Sequence, residues 1–433
     1  MRRVIALVML VLSGVVLPGA ARADASIEAS VVSVENKFPD EILFTAEAQS
    51  SAADIRFLSL RASVGASELE RYGNFEFTPG RKVSAQYSFK TGKSNFLVAG
   101  ADITYWLQVE DVSGNRFETP KQTIWYEDTR FKWSKMADGA VTVYYYGGAE
   151  RTASGMLTAA RETQQKVGRM LGAEARPFKV MLYNSVPDII GAQRPELSET
   201  RSRELIRAGV MYPGEDVVQV LGFGSLDALD TARHEITHLF VHWTAGNNLP
   251  AWLDEGMAVW GQNNPGSDYA GALQQGIRSN SVFLLRGLDS FPGRSEDTIL
   301  AYGQSYSVVK YLIDTYGPAK MRQLMEAIKA RNGVLDGLKE VYGLTLDELD
   351  AKWRQSVGVP PRSYESAVPT PITIPTIAPI GAESSPAQSG SGSSNVGESG
   401  GLPPYLLVIA AAAVGLLVLV AGAAVFTLAR RKA

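Results

Sequence analysis

The stretch His234-Glu235-Ile236-Thr237-His238, followed by Leu249-Pro250-Ala251-Trp252-Leu253-Asp254-Glu255-Gly256, decides how this 433-residue chain is read. The chain has three histidines, and His234, His238 and His242 fall within nine residues of one another. A His-x-x-x-His pair with Glu directly after the first His arises by chance in on the order of one such chain in a thousand. On a helix rising ~1.5 Å per residue, His234 and His238 lie one turn apart on one face, about 6 Å along the axis. Two imidazoles so placed close on one Zn²⁺ at ~2.0–2.1 Å. Glu235 stands beside them as general base, taking a proton from a zinc-activated water as that water attacks a carbonyl.

His242 does not complete such a site, because eight residues place it about 12 Å from His234 along the same helix. Pairing His238 with His242 instead gives a register without a base, since Leu239 follows His238. His242 therefore reads as a surface residue or one behind the ligands. The third ligand comes from elsewhere: after a break at Gly246-Asn-Asn-Leu-Pro250, a second helix opens with Trp252-Leu-Asp254-Glu255. Glu255 would return a carboxylate to the metal and leave the fourth position to water, as an open catalytic zinc site requires.

His-Glu-Ile-Thr-His followed by Leu-Pro-Ala-Trp-Leu-Asp-Glu-Gly resembles the gluzincin metallopeptidases, particularly the compact peptidase-MA-like family, over roughly residues 128 to 357. That resemblance implies a metallopeptidase holding one zinc per chain. It selects Glu255 over its neighbour Asp254 as the ligand. Ala301-Tyr302-Gly-Gln-Ser-Tyr306 is similar to the helix whose tyrosine bonds the tetrahedral oxyanion in aminopeptidase-type gluzincins, which implies that role for Tyr302, with Tyr306 and Tyr311 nearby. The aminopeptidases also carry a Glu on an edge strand, where it binds the substrate's free amine. Gly209-Val-Met-Tyr212 stands at a similar distance with Tyr212 in that place, which favours an endopeptidase.

Around this motif, Val141–Tyr146, Phe178–Tyr183, Ala208–Tyr212 and Val217–Leu221 read as strands, Thr152–Leu171 as a helix, and almost everything after Leu226 as helix. The expected fold class is α+β, with a thermolysin/gluzincin-like domain of small mixed sheet plus helical lobe over 128–357. Before it, residues 24–127 alternate in period two, as in Ile103-Thr-Tyr-Trp-Leu-Gln-Val, and suggest an immunoglobulin-like β-sandwich. At the start, Arg2-Arg3, an apolar run and Ala21-Arg-Ala23 read as a signal peptide over 1–23. At the end, a Pro/Ser/Gly-rich linker (358–404) precedes a run without charge from Leu406 to Leu428 and the basic Arg430-Arg431-Lys432. These read as a transmembrane helix over 405–429 and a cytoplasmic tail, placing the folded domains outside the cell and the protein in the cell membrane.

Composition narrows the remaining classes. No cysteine is present, which excludes thiolate metal sites, cysteine nucleophiles and disulfides. Between the two ends, 36 basic residues face 45 acidic ones, a balance that speaks against a nucleic-acid partner and leaves a peptide or protein substrate and the membrane as the expected partners. A rival reading is a surface adhesion or envelope-assembly protein built on a peptidase-like domain without turnover. Glu235 argues against it, since a structural role alone gives little reason for a Glu between the two histidines.

Overall fold

The computed structural model describes residues 27–362, apart from 68, 93–94, 194–207, 223–227, 293 and 332. The first half folds as β1 (Ile27–Lys37), β2 (Glu41–Ser50), β3 (Ile55–Val64), β4 (Arg71–Asn74), β5 (Lys82–Lys90), β6 (Asp102–Asp111), β7 (Arg116–Glu118) and β8 (Gln122–Trp125). One antiparallel sheet has the order β1-β2-β5 and a second β4-β3-β6-β7, with β8 also paired to β6. Alternation sets which side chains face inward: Ile42, Phe44, Ala46 and Ala48 of β2 and Ile103, Tyr105, Leu107 and Val109 of β6 are buried in one shared core. Across that core the Phe44 ring meets Tyr105 edge-on at 5.1 Å.

The second half begins with β9 (Ser134–Asp138), β10 (Val141–Tyr145), β11 (Phe178–Tyr183), β12 (Gly209–Tyr212) and β13 (Val217–Leu221). They form a mixed sheet in the order β12-β13-β11-β10-β9, parallel at its centre and antiparallel at both outer strands. Central parallel strands are covered on both faces and read as nearly continuous apolar runs, which is why all five residues of β13 are buried. Val180, Leu182, Val218 and Val220 face the helices, whereas Met181, Tyr183, Val217 and Leu221 pack into the same core as the two antiparallel sheets. Buried Asp128 reinforces this junction, accepting hydrogen bonds from Arg130 Nε (2.9 Å) and from Tyr183 Oη (3.3 Å).

The helices are α1 (Glu150–Thr163), continued by a π-turn to Leu171, α2 (Val186–Ile190), α3 (Ala228–Ala245), α4 (Ala251–Gly261), α5 (Ser267–Arg278), α6 (Ser295–Tyr316), α7 (Pro318–Arg331), α8 (Val334–Tyr342) and α9 (Leu346–Ser356). Helix α3 lies against β12 and β13 on one side and against α1, α4 and α7 on others. Its Ile236, Leu239, Phe240 and Val241 are fully buried, at about 1.5–3 kcal/mol each relative to exposure. The helix ends where Gly246 adopts φ 79°, a left-handed conformation that suits glycine, and its N–H bonds His242 O at 2.9 Å. Pro250 then starts α4, which folds back onto α3.

The expected fold class needs one correction. The protein is α+β with several sheets and helices, and no described helix is long and apolar enough to cross a membrane. The transmembrane helix expected over 405–429 lies outside the described residues, as do the signal peptide over 1–23, the linker beyond residue 362 and the tail. A hydropathy run identifies an apolar segment, but the described architecture supplies no spanning element to carry it.

Candidate active site

A cleft of about 400 Å³ opens where α3, α4, α5 and α6 approach the β12 edge of the mixed sheet. Its lining includes His234, Glu235, His238, Glu255 and Tyr302, so all five residues singled out in the sequence meet there. Tyr306 and Tyr311 do not line it, although they stand on the same helix. A more open groove of about 580 Å³ at Leu171, Arg176, Trp243 and Lys329 holds none of the five.

Three ligand atoms converge in this cleft. His234 Nε2 lies 3.1 Å from His238 Nε2, and Glu255 Oε2 lies 3.2 Å from the first and 3.4 Å from the second. Four ligands placed tetrahedrally at ~2.0–2.1 Å from zinc are separated by about 3.3 Å along each edge. The three edges of this triangle therefore have the size that zinc demands. Glu255 Oε2 is buried and makes no hydrogen bond of proper geometry, which suits an atom that serves a cation. His234, His238 and Glu255 thus fit a bound zinc ion, both in spacing and in donor chemistry.

The charged groups of the cleft are strongly coupled. Burial alone would lower the His238 pKa, but the Asp254 and Glu255 carboxylates outweigh it and hold the pKa well above the ordinary value. Burial would raise the Glu255 pKa, yet His238 and His234 lower it to about 2. Two partly buried carboxylates beside the imidazoles favour positive charge in the cleft, which a proton on His238 or a metal ion can supply.

Asp254, weighed in the sequence only as an alternative ligand, takes a different place. Its Oδ1 accepts a hydrogen bond from His238 Nδ1 at 2.7 Å, which leaves the Nε2 lone pair of that ring for the ligand triangle. Its Oδ2 accepts from His242 Nε2 at 3.1 Å. Sequence reasoning missed Asp254 in this role, although a carboxylate adjoining a ligand at the start of a helix is the signal that points to it.

Tyr269 of α5 was also missed. Its ring stacks on Tyr302 at 5.2 Å and 17°, while Phe291 meets Tyr302 edge-on at 4.8 Å. The Tyr302 ring in turn lies 6.2 Å from that of His234. Burial, with Glu255 and Asp268 adding to it, raises the Tyr269 pKa, so its phenol stays neutral at physiological pH. Nothing in the spacing between Tyr269 and Tyr302 announces that contact.

Glu235 is set against the edge strand. A methyl group added at Gly209 would lie 2.5 Å from Glu235 Cγ and 3.0 Å from its Cδ. Only a residue without Cβ lets β12 approach this carboxylate so closely. The Gly209→Ala variant is expected to fold with a similar unfolding midpoint and to lose activity on the order of tenfold, because misplacement of a reacting group is costly. Paired thermal melts and peptide-hydrolysis rates check this, and full activity in Gly209→Ala would refute the contact's importance. Tyr212, at the far end of the strand, packs near Phe96 with ring centroids 6.3 Å apart and does not line the cleft.

Residues 159–359 match the family model of the Peptidase MA superfamily. The match supports a peptidase-MA-like family and marks this part of the chain as peptidase-like, within a superfamily that is typically metal-dependent. No curated protein matches the chain. Among solved structures, Spo0M, a sporulation control protein from Bacillus subtilis, is similar at 13% identity with a TM-score of 0.16. That match covers 33% of this chain and 55% of the Spo0M chain, so this chain spans little more than half of it, and the likeness carries no argument.

Proposed function

We propose that the protein is a zinc-dependent metallopeptidase that cleaves within peptide chains. The observation that carries this reading is the ligand triangle of 3.1, 3.2 and 3.4 Å, with Glu235 on the helical turn between its two histidines. His234, His238 and Glu255 would hold the metal, and zinc bound there would supply Lewis-acid chemistry.

Each remaining step falls to a side chain of this protein. The Glu235 carboxylate accepts the proton of the attacking water and returns it to the leaving amine. The Tyr302 phenol donates a hydrogen bond to the oxygen that gains negative charge in the transition state. Asp254 holds His238 in the tautomer whose Nε2 binds metal. Strand β12, which pairs only with β13 among the described residues, offers its outer edge to an extended peptide by strand addition.

Internal cleavage is favoured by what the cleft lining holds. Its described residues include no Lys or Arg to receive a terminal carboxylate. Among the described residues its acids are Glu235, Asp254 and Glu255, which this reading uses as base, as partner of His238 and as ligand, so none of these three is left over for a free amine. The full chain is expected to bind one zinc and to hydrolyse peptides blocked at both ends at rates comparable to unblocked ones, measured by metal analysis and quenched-fluorescence assays. Cleavage confined to free N-termini would overturn the endopeptidase reading. Zinc without cleavage of a broad peptide library would favour the binding-module alternative.

A further inference from the structure

We propose that His242 is a positioning residue that aligns the metal ligand His238 by clamping Asp254. The inference rests on the zinc reading above and adds to it a role for the third histidine. His234, His238 and His242 follow one another at intervals of four along α3 and so form a stripe on one helix face, with ring centroids 4.8 Å and then 6.5 Å apart. The first two present Nε2 to the ligand triangle. The third lies beyond the reach of that triangle and points instead at the start of α4.

The Asp254 carboxylate has one oxygen on each of two histidines: Oδ1 accepts from His238 Nδ1 at 2.7 Å and Oδ2 from His242 Nε2 at 3.1 Å. The other ring nitrogen of His242, Nδ1, lies 2.9 Å from the side-chain amide oxygen of Asn247. The His242 side chain is 12% exposed and Asp254 20%, so neither is a free surface group. These contacts form a continuous chain from the loop after α3, through His242 and Asp254, to the Nδ1 of a ligand.

A carboxylate fixed at only one oxygen swings about its side-chain torsions. Fixed at both, it holds the His238 ring plane and the Nδ1–H tautomer, and so keeps the Nε2 lone pair aimed at the metal. Partners of this kind behind a ligand contribute roughly 10- to 100-fold to metal affinity. The clamp also ties the two helices that supply the ligands, since His242 lies on α3 and Asp254 on α4.

The test measures zinc affinity of the full chain by competition with a chelator, for the unmodified protein, His242→Ala, His242→Gln, Asp254→Ala and the double variant His242→Ala/Asp254→Ala. His242→Ala is expected to weaken zinc binding about tenfold, at the lower end of the range for such partners. His242→Gln, whose amide N–H can still donate to Asp254, should recover most of that loss. Because His242 acts through Asp254, the double variant should bind zinc no more weakly than Asp254→Ala alone. A merely structural histidine would lower the melting temperature of the metal-free chain and give additive losses of affinity. Unchanged affinity in His242→Ala, or additive losses in the double variant, would overturn the proposal while leaving the zinc reading intact. An unmodified chain that takes up no zinc would overturn both.

Discussion

The Glu235→Gln variant is expected to retain one zinc per chain and to hydrolyse peptides about 10²–10⁴-fold more slowly, the range that a positioned general base contributes. The two halves of that expectation come from separate features of the site. Glu235 supplies no atom to the triangle formed by His234, His238 and Glu255, so the metal has no reason to leave. Gln has nearly the shape of Glu, and the close approach of Gly209 to Cγ and Cδ is as well satisfied by one as by the other. What the amide lacks is basicity, since it takes no proton from water near neutral pH. Metal analysis and kcat/KM on one quenched peptide, read on the same sample, separate these effects. Full activity in the variant would place the base elsewhere. Loss of zinc would mean that Glu235 supports the ligand set rather than the chemistry.

How much of this site could be read in advance depended on the distance over which each contact is encoded. That His234 and His238 share a helix face follows from helical geometry alone, and Glu255 follows from a short motif one loop away. Tyr302 needed a family resemblance, because three tyrosines stand at helical spacing nearby and only the packing of α6 on the site separates them. Asp254 and His242 were harder still. Each is next to or in step with a ligand, but their mutual contact exists only because Gly246 and Pro250 turn α4 back across α3. Tyr269 was not legible, since it meets Tyr302 through the crossing of two helices that no local pattern fixes.

The fold shows the same gradient. Period-two alternation marked the strands β2 and β6 with their buried faces, and apolar runs marked β11 and β13. That Met181, Tyr183, Val217 and Leu221 join the core of the preceding sheets was not visible, because a strand buried on both faces does not announce what covers each. The apolar segment near the end of the chain lies outside the described residues, and no described helix is long and apolar enough to cross a membrane.

Replacing Arg354 with Met is expected to lower stability by about 3–5 kcal/mol, the usual result of removing one partner of a buried ion pair. Arg354 and Asp350 are 0% and 1% exposed on α9, one helical turn apart, with Arg354 Nε donating to Asp350 Oδ2 at 2.8 Å. Arg354 Nη2 also donates to the carbonyl oxygens of Val282 and Phe283, at 3.3 and 2.8 Å. Gln304, fully buried on α6, grips the same Phe283 from the other side: its Nε2 donates to the carbonyl, and its Oε1 accepts from the backbone N–H, each at 2.8 Å. Phe283 thus links the closing helix α9 to the helix that carries Tyr302 two residues away. Asp350→Leu/Arg354→Met, which removes both charges, should regain most of the loss and keep a deficit of about 1 kcal/mol for the carbonyls left with fewer donors. Urea unfolding midpoints of the three proteins test this. If the double variant is as unstable as the single one, the carbonyl bonds rather than the buried charge govern the effect. In that case hydrolysis should fall with stability, because Phe283, which those bonds hold, is also the residue that Gln304 of α6 grips.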